Sequence, residues 1–144
     1  MAGRKGSTYS SDFLKLTFNA TAIANIADNA SSAPLTNLFC SLHTANPAAG
    51  GSQTTSEAAY VGYARVSVAR TSGGFTVTGA SVSPAATVSF ATCSSGTETE
   101  TFGMIGTATS GTGKQLYSGP ITPNIAVSVG VSPQWTTASA VTEA

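Results

Sequence analysis

Charge is scarce in this chain. Only 8% of its 144 residues are Asp, Glu, Lys or Arg, against about 25% in an ordinary soluble domain. Six bases (Arg4, Lys5, Lys15, Arg65, Arg70 and Lys114) balance six acids (Asp12, Asp28, Glu57, Glu98, Glu100 and Glu143), for a formal net charge of zero. So few cations cannot form the basic patch of a nucleic-acid binder, so nucleic acid is excluded as an expected partner. Weak self-repulsion favours association with other protein surfaces instead.

Other absences narrow the reading further. No stretch approaches the ~20 apolar residues of a membrane span, so no membrane is expected as a partner. Arg4 and Lys5 are followed by Gly6, Ser7, Thr8, Tyr9, Ser10 and Ser11 rather than by an apolar run. No secretory signal is therefore read, and synthesis in a cytoplasm, with action there or in something assembled there, is expected. The two cysteines, Cys40 and Cys93, are too few for a disulfide framework. They read as buried free thiols in strand-like surroundings, with a Cys40–Cys93 bridge as the alternative.

Histidine occurs once, at His43. A Ser-His-Asp triad would have to be built on it, and no G-x-S-x-G elbow is present. Cys40 and His43 are three apart, which on a strand puts them on opposite faces and spoils a zinc site. His43 is read as a surface or interface residue. The run from Gly106 to Gln115 imitates a phosphate loop but fails on spacing, because Ala108 stands five before Gly113 and Gln115 follows Lys114. It reads as a hairpin turn. Glu98 and Glu100 would project from one strand face about 7 Å apart, near the separation used by glycosidases. Their threonine neighbours point instead to a solvated face or to a contact with a neighbouring subunit. No catalytic residue, metal or cofactor is expected.

What is present is an alternating apolar pattern. Residues 1–10 read as a flexible N-terminal arm, Gly/Ser-rich and without an apolar run. Residues 11–36 read as a helical segment and loop. Ser10 or Ser11 would cap the helix, Asp12 would lie in its first turn, and Phe13, Leu16, Ala20, Ile23, Ala24 and Ala27 would form its apolar face. Asn19, Thr17 and Thr21 leave two short helices as an open alternative.

Residues 37–144 read as a β-sandwich of eight or nine short strands, in a single domain overall. Leu38, Cys40 and Leu42 share a face of the first. Residues 60–70 form a long strand, and residues 98–107, 115–117 and 125–131 form others, with Trp135 on the last. Prolines are expected between strands rather than inside them. The fold expected is all-β, an antiparallel jelly-roll-type sandwich, with an immunoglobulin-like sandwich or small barrel as the alternative.

One run carries a resemblance. Leu38-Phe39-Cys40-Ser41-Leu42-His43-Thr44-Ala45-Asn46-Pro47 looks like a LYVSLHTADP motif. Tyr60-Val61-Gly62-Tyr63-Ala64-Arg65-Val66 follows it, then Ser110 to Gly119, then Val127 to Trp135. Together, over roughly residues 22–138, these resemble a family of small tailed-bacteriophage virion proteins, some labelled tail fibre protein. They also resemble small jelly-roll cement proteins that clamp the outer surface of phage heads. The resemblance implies a capsid decoration protein that binds the major capsid protein on an expanded head, as a homodimer or homotrimer. A tail-associated or tail-fibre structural protein is the alternative, and a glycan hydrolase built on Glu98 and Glu100 is a third. The arm lies outside the resemblance. Its Arg4, Lys5 and Tyr9 are candidate partner contacts on composition alone.

Overall fold

In a computed structural model the described residues are 7–23 and 34–143. Among them are one helix, α1 (Ser7–Asn19), and nine strands: β1 (Asn37–His43), β2 (Val66–Ala69), β3 (Phe75–Thr78), β4 (Ser81–Pro84), β5 (Val88–Ser89), β6 (Glu98–Gly106), β7 (Gln115–Val127), β8 (Gln134–Trp135) and β9 (Val141–Thr142). The protein is mostly β with one short helix, and the pairs β1–β6, β3–β4, β4–β9, β5–β8 and β6–β7 are antiparallel. The chain divides into two compact units. One holds the described residues of Met1–Asn37 with Ala69–Thr87 and Thr136–Ala144, and the other holds Leu38–Val68 and Val88–Trp135.

The first unit packs α1 against the sheet β3-β4-β9. Ser10, Leu14 and Phe18 are the buried side of the helix, spaced by four so that they stack on one face. This stripe is displaced from the expected one. Phe13 and Leu16 are half-buried, Ala20 is exposed and Ile23 is buried beyond the helix end. Ala24 and Ala27 lie outside the described residues.

The helix also starts earlier than the sequence predicts. Ser7 to Ser10, assigned to the arm, form its first turn, and Asp12 falls beyond that turn. It stops at Asn19 for identifiable reasons. Ala20 takes a left-handed φ of 54°, and the Thr21 N–H reaches back to the Lys15 carbonyl at 3.1 Å. The guanidinium of Arg70 then donates to the orphaned carbonyls of Leu16 and Thr17 and to that of Leu35. Phe18 meets Phe75 edge-on, with ring centroids 4.9 Å apart.

The second unit carries the four-stranded sheet β2-β1-β6-β7. Interior β1 pairs with β6 from Phe39↔Gly106 to His43↔Phe102. Its Leu38, Cys40 and Leu42 are buried as expected, but Ser41 and His43 on the opposite face are buried too. A separate pair, β5–β8, is antiparallel in register Val88↔Trp135. A Cβ on Gly103 of β6 would lie 2.5 Å from the Trp135 ring, so glycine is what lets that ring lie against the strand. Tyr60, Tyr63, Phe90 and Trp135 follow one another in a chain of ring contacts. Cys40 and Cys93 are free and buried, and burial pushes the Cys40 thiol up to about 12.

Two strand expectations are corrected. Residues 60–65 are not strand, because their amides bond to other groups: the Tyr60 N–H to the Glu98 carboxylate and the Val61 N–H to the Ser95 carbonyl. The prolines are not confined to the gaps either. Pro84 ends β4 opposite Phe75, and Pro120 and Pro123 lie inside the continuous β7. That strand tolerates them because it is an outer edge, where a missing N–H costs no ladder bond. Between the pairs Phe102↔Pro120 and Glu100↔Ile125, Thr101 alone faces residues 121–124, so β7 bulges outward there.

Candidate functional site

The β6–β7 hairpin tip is held from below by two side chains. Arg65 grips Glu57 with a two-point fork, Nε to Oε1 at 2.6 Å and Nη2 to Oε2 at 2.7 Å. The same guanidinium donates to the carbonyls of Ala108 at 2.9 Å and Gly111 at 2.8 Å. Tyr63 completes the hub by donating its hydroxyl to Glu57 and accepting the Leu42 N–H. Gln53, fully buried, accepts the Ala108 N–H at 2.8 Å and donates to the Ala108 carbonyl at 3.3 Å. The phosphate-loop imitation is thus a pinned hairpin turn, as its spacing implies.

Gly113 must be glycine here, since a Cβ would sit 1.8 Å from Gln53 Oε1 and 2.7 Å from the Ala108 Cβ. Gly113→Ala is expected to destabilise the protein by about 1–3 kcal/mol, as overpacked positions do. A urea denaturation midpoint would read this directly.

His43 is not at the surface. It is fully buried, with Nδ1 2.8 Å from the Thr55 carbonyl and Nε2 2.9 Å from the Ser41 hydroxyl. The carbonyl can only accept, so Nδ1 carries the proton and Ser41 donates to Nε2. Burial holds the imidazole below its ordinary value, partly offset by the Thr55 carbonyl and the Glu57 charge. Ser41 is also fully buried, so the pair satisfies the core and offers no nucleophile to a substrate.

The solvated-face reading of the two glutamates fails as well. Glu98 is half-buried and accepts the N–H groups of Ala59 and Tyr60. Glu100 is fully buried, and neither carboxyl oxygen meets a hydrogen-bond donor. Burial, then the neighbouring Glu98, push its carboxyl up to about 8. Among the described residues no group of three or more His, Cys, Asp or Glu side chains could hold a metal.

The candidate partner contacts fare differently. Arg4 and Lys5 lie outside the described residues. Tyr9 is 41% exposed on the first turns of α1, with its ring 6.5 Å from that of Phe13. The larger surface feature is β7. Its 13 residues contain no charged side chain, and they form one outer edge of the four-stranded sheet. Thr122, Pro123, Asn124 and Ala126 are exposed. Exposed edges are normally blunted by charge, and this one carries prolines and a bulge instead.

The model of the family described as Podophage GP4 fiber I protein gp80 matches residues 14–141. The chain belongs to this family. It is therefore a bacteriophage virion protein of a fibre family, in agreement with the resemblance in its sequence. No curated protein matches the chain.

In this fibre-family chain the groups that sequence reasoning missed are Glu57, Gln53 and the β7 edge. A signal existed for the first. In a chain with six acids and six bases, Glu57 and Arg65 flanking two tyrosines is a candidate pair. Glu100 was also legible, since it shares the parity of Phe102 and buried Met104 on β6; the flanking threonines argued the other way.

Proposed function

We propose that the protein is a non-enzymatic structural subunit of the phage tail or tail fibre, and that it works by joining copies of itself through the β7 edge. The observation that carries this is that 13-residue, charge-free outer strand. Its outward amides and carbonyls are a template for a further strand. Pro120 and Pro123 contribute no N–H, so they limit pairing to the stretches on either side and thereby set its register. A homodimer or homotrimer follows, and many copies turn modest contacts into firm attachment. The fibre description of the family supports the tail location.

A second reading keeps the same surface on the outside of an expanded head. There the subunit would bind the major capsid protein as a decoration protein and stabilise the lattice by mass action. The close approach of Trp135 on β8 to Gly103 on β6 is in keeping with the jelly-roll-type sandwich of that reading. In either case Arg4, Lys5 and Tyr9 are proposed partner contacts, whereas nucleic acid and membrane are not proposed as partners. No described helix is long and apolar enough to cross a membrane.

Copy number and position in purified particles separate the two readings. A handful of copies at the tail is expected, measured by quantitative mass spectrometry and immunogold labelling; hundreds spread over the head would replace it with the decoration reading. Asn124→Lys with Ala126→Lys is expected to weaken self-association at least tenfold in sedimentation, with little change in melting temperature. Unchanged association would remove the β7 edge from the proposal.

A further inference from the structure

Glu98 and Glu100 stand on the same side of β6. Glu98 already has donors: the Ala59 N–H at 2.9 Å and the Tyr60 N–H at 3.0 Å, both on Oε1. Glu100 has none, although it is fully buried. On β7, Ile125 lies opposite Glu100 and Val127 opposite Glu98, and neither brings charge. Of the titratable groups in the 59–63 segment, Tyr63 donates its hydroxyl to Glu57, and Tyr60 interacts with both carboxyls and with Cys93. Its phenol is pushed up to about 12 and stays neutral. Neither arginine of the described residues is spare. Arg65 is committed to Glu57 and the hairpin tip, and Arg70 to the end of α1.

A buried carboxylate without a donor is strongly disfavoured. A protonated carboxyl beside a carboxylate has a partner, because its O–H can donate to that neighbour. The two carboxyls carry four oxygens, and both of Glu98 already accept amides, so the pair offers too few ligands for a calcium ion, which takes six to eight. The cation that fits the pair is a proton.

We propose that Glu98 and Glu100 share one proton, and that this proton is a latch which holds the Ala59–Tyr63 segment against the end of β6. Removal by hydroxide converts the Glu100 carboxylic acid to a carboxylate and yields water. Two carboxylates then face each other and repel. Half-buried Glu98 is the one that can swing toward solvent, and in doing so it releases the Ala59 and Tyr60 amides. The segment includes Val61, already 58% exposed, so its release enlarges an apolar surface on one end of the unit.

Amide hydrogen exchange on the full chain, normalised to unstructured-peptide rates, tests this. At pH 9 compared with pH 6.5, the Ala59 and Tyr60 amides are expected to lose protection at least tenfold. The β1 amides opposite β6 should stay protected. Glu100→Gln, whose amide N–H can donate to Glu98 in place of the acid, should keep protection at both pH values. Equal wild-type protection at both pH values would overturn the latch, and so would the same loss in the variant. If the variant fails to fold, a carbon-13 titration of the wild-type glutamates decides. A Glu100 carboxyl titrating in the ordinary range near 4.5 overturns the proposal, and one titrating well above 7 supports it.

Discussion

Arg65→Ala is expected to cost about 3–5 kcal/mol of stability, the range for breaking a buried ion pair from one side. The side chain of Arg65 is 2% exposed and that of Glu57 17%. Removing the guanidinium strands a largely buried carboxylate, and it also takes a side-chain donor from the carbonyl of Gly111. The hairpin tip loses its tie to the Glu57 segment in the same step. A chain of this size should melt about 10 °C lower in a thermal scan. Arg65→Lys keeps the charge but not the planar fork, so it should recover only part of the loss. A double-mutant cycle with Glu57→Ala should show strong coupling, because the two groups act as one. A loss below about 1 kcal/mol for Arg65→Ala would mean that the hub is a surface ornament.

Stability is expected to fall by roughly 2 kcal/mol as pH rises from 6.5 to 8.5, at about 1.36 kcal/mol per pH unit. Glu100 drives this. Its folded carboxyl is raised to about 8 from an ordinary 4.5, first by burial and then by Glu98. Between those values the folded state holds a proton that the unfolded chain has released. The stabilisation is complete below about 4.5 and is lost as pH climbs through about 8. His43 acts in the opposite sense and at lower pH. Its folded value lies below 6.5, so its contribution is lost only as pH drops beneath that value. The Cys40 thiol, raised from 9.0, and Tyr60, Tyr63 and Tyr117, all held above their ordinary 10.0, begin to matter only near those values. The window from 6.5 to 8.5 therefore belongs to Glu100. Urea unfolding across it should slope downward in the wild type and run nearly flat in Glu100→Gln. A wild-type profile that stayed level or rose through this window would show that Glu100 is ionised in the folded protein.

Strand existence was legible and strand extent was not. Alternation at 37–44 and 98–107 foretold β1 and β6, because each has at least one buried face and the period of two survives in the sequence. The expected strand at 60–70 dissolved over its first half, where the Glu98 carboxylate and a neighbouring turn took the amides. The reverse error occurred at β7. Prolines at 120 and 123 looked like punctuation, yet an outer edge has no ladder bond on that side to lose. For α1 the alternation of apolar residues placed the stripe one position off, because Leu14 and Phe18 rather than Phe13 and Leu16 meet the sheet.

The polar groups show the same division. His43 and Glu100 each looked like surface residues from their neighbours in the chain. Both are buried, because β1 is an interior strand covered on both faces and because Glu100 shares the inward side of β6.

By itself the sequence determined a β-rich chain with few charges, no reactive motif and a likeness to phage virion proteins. Composition and period two are local properties, and they survive without coordinates. Only the tertiary structure decided which charges pair, which acid keeps its proton and which strand is left at the edge. Those outcomes depend on residues far apart in the chain, such as Glu57 with the 108–111 turn or Gly103 with Trp135, and no local pattern encodes distance in space.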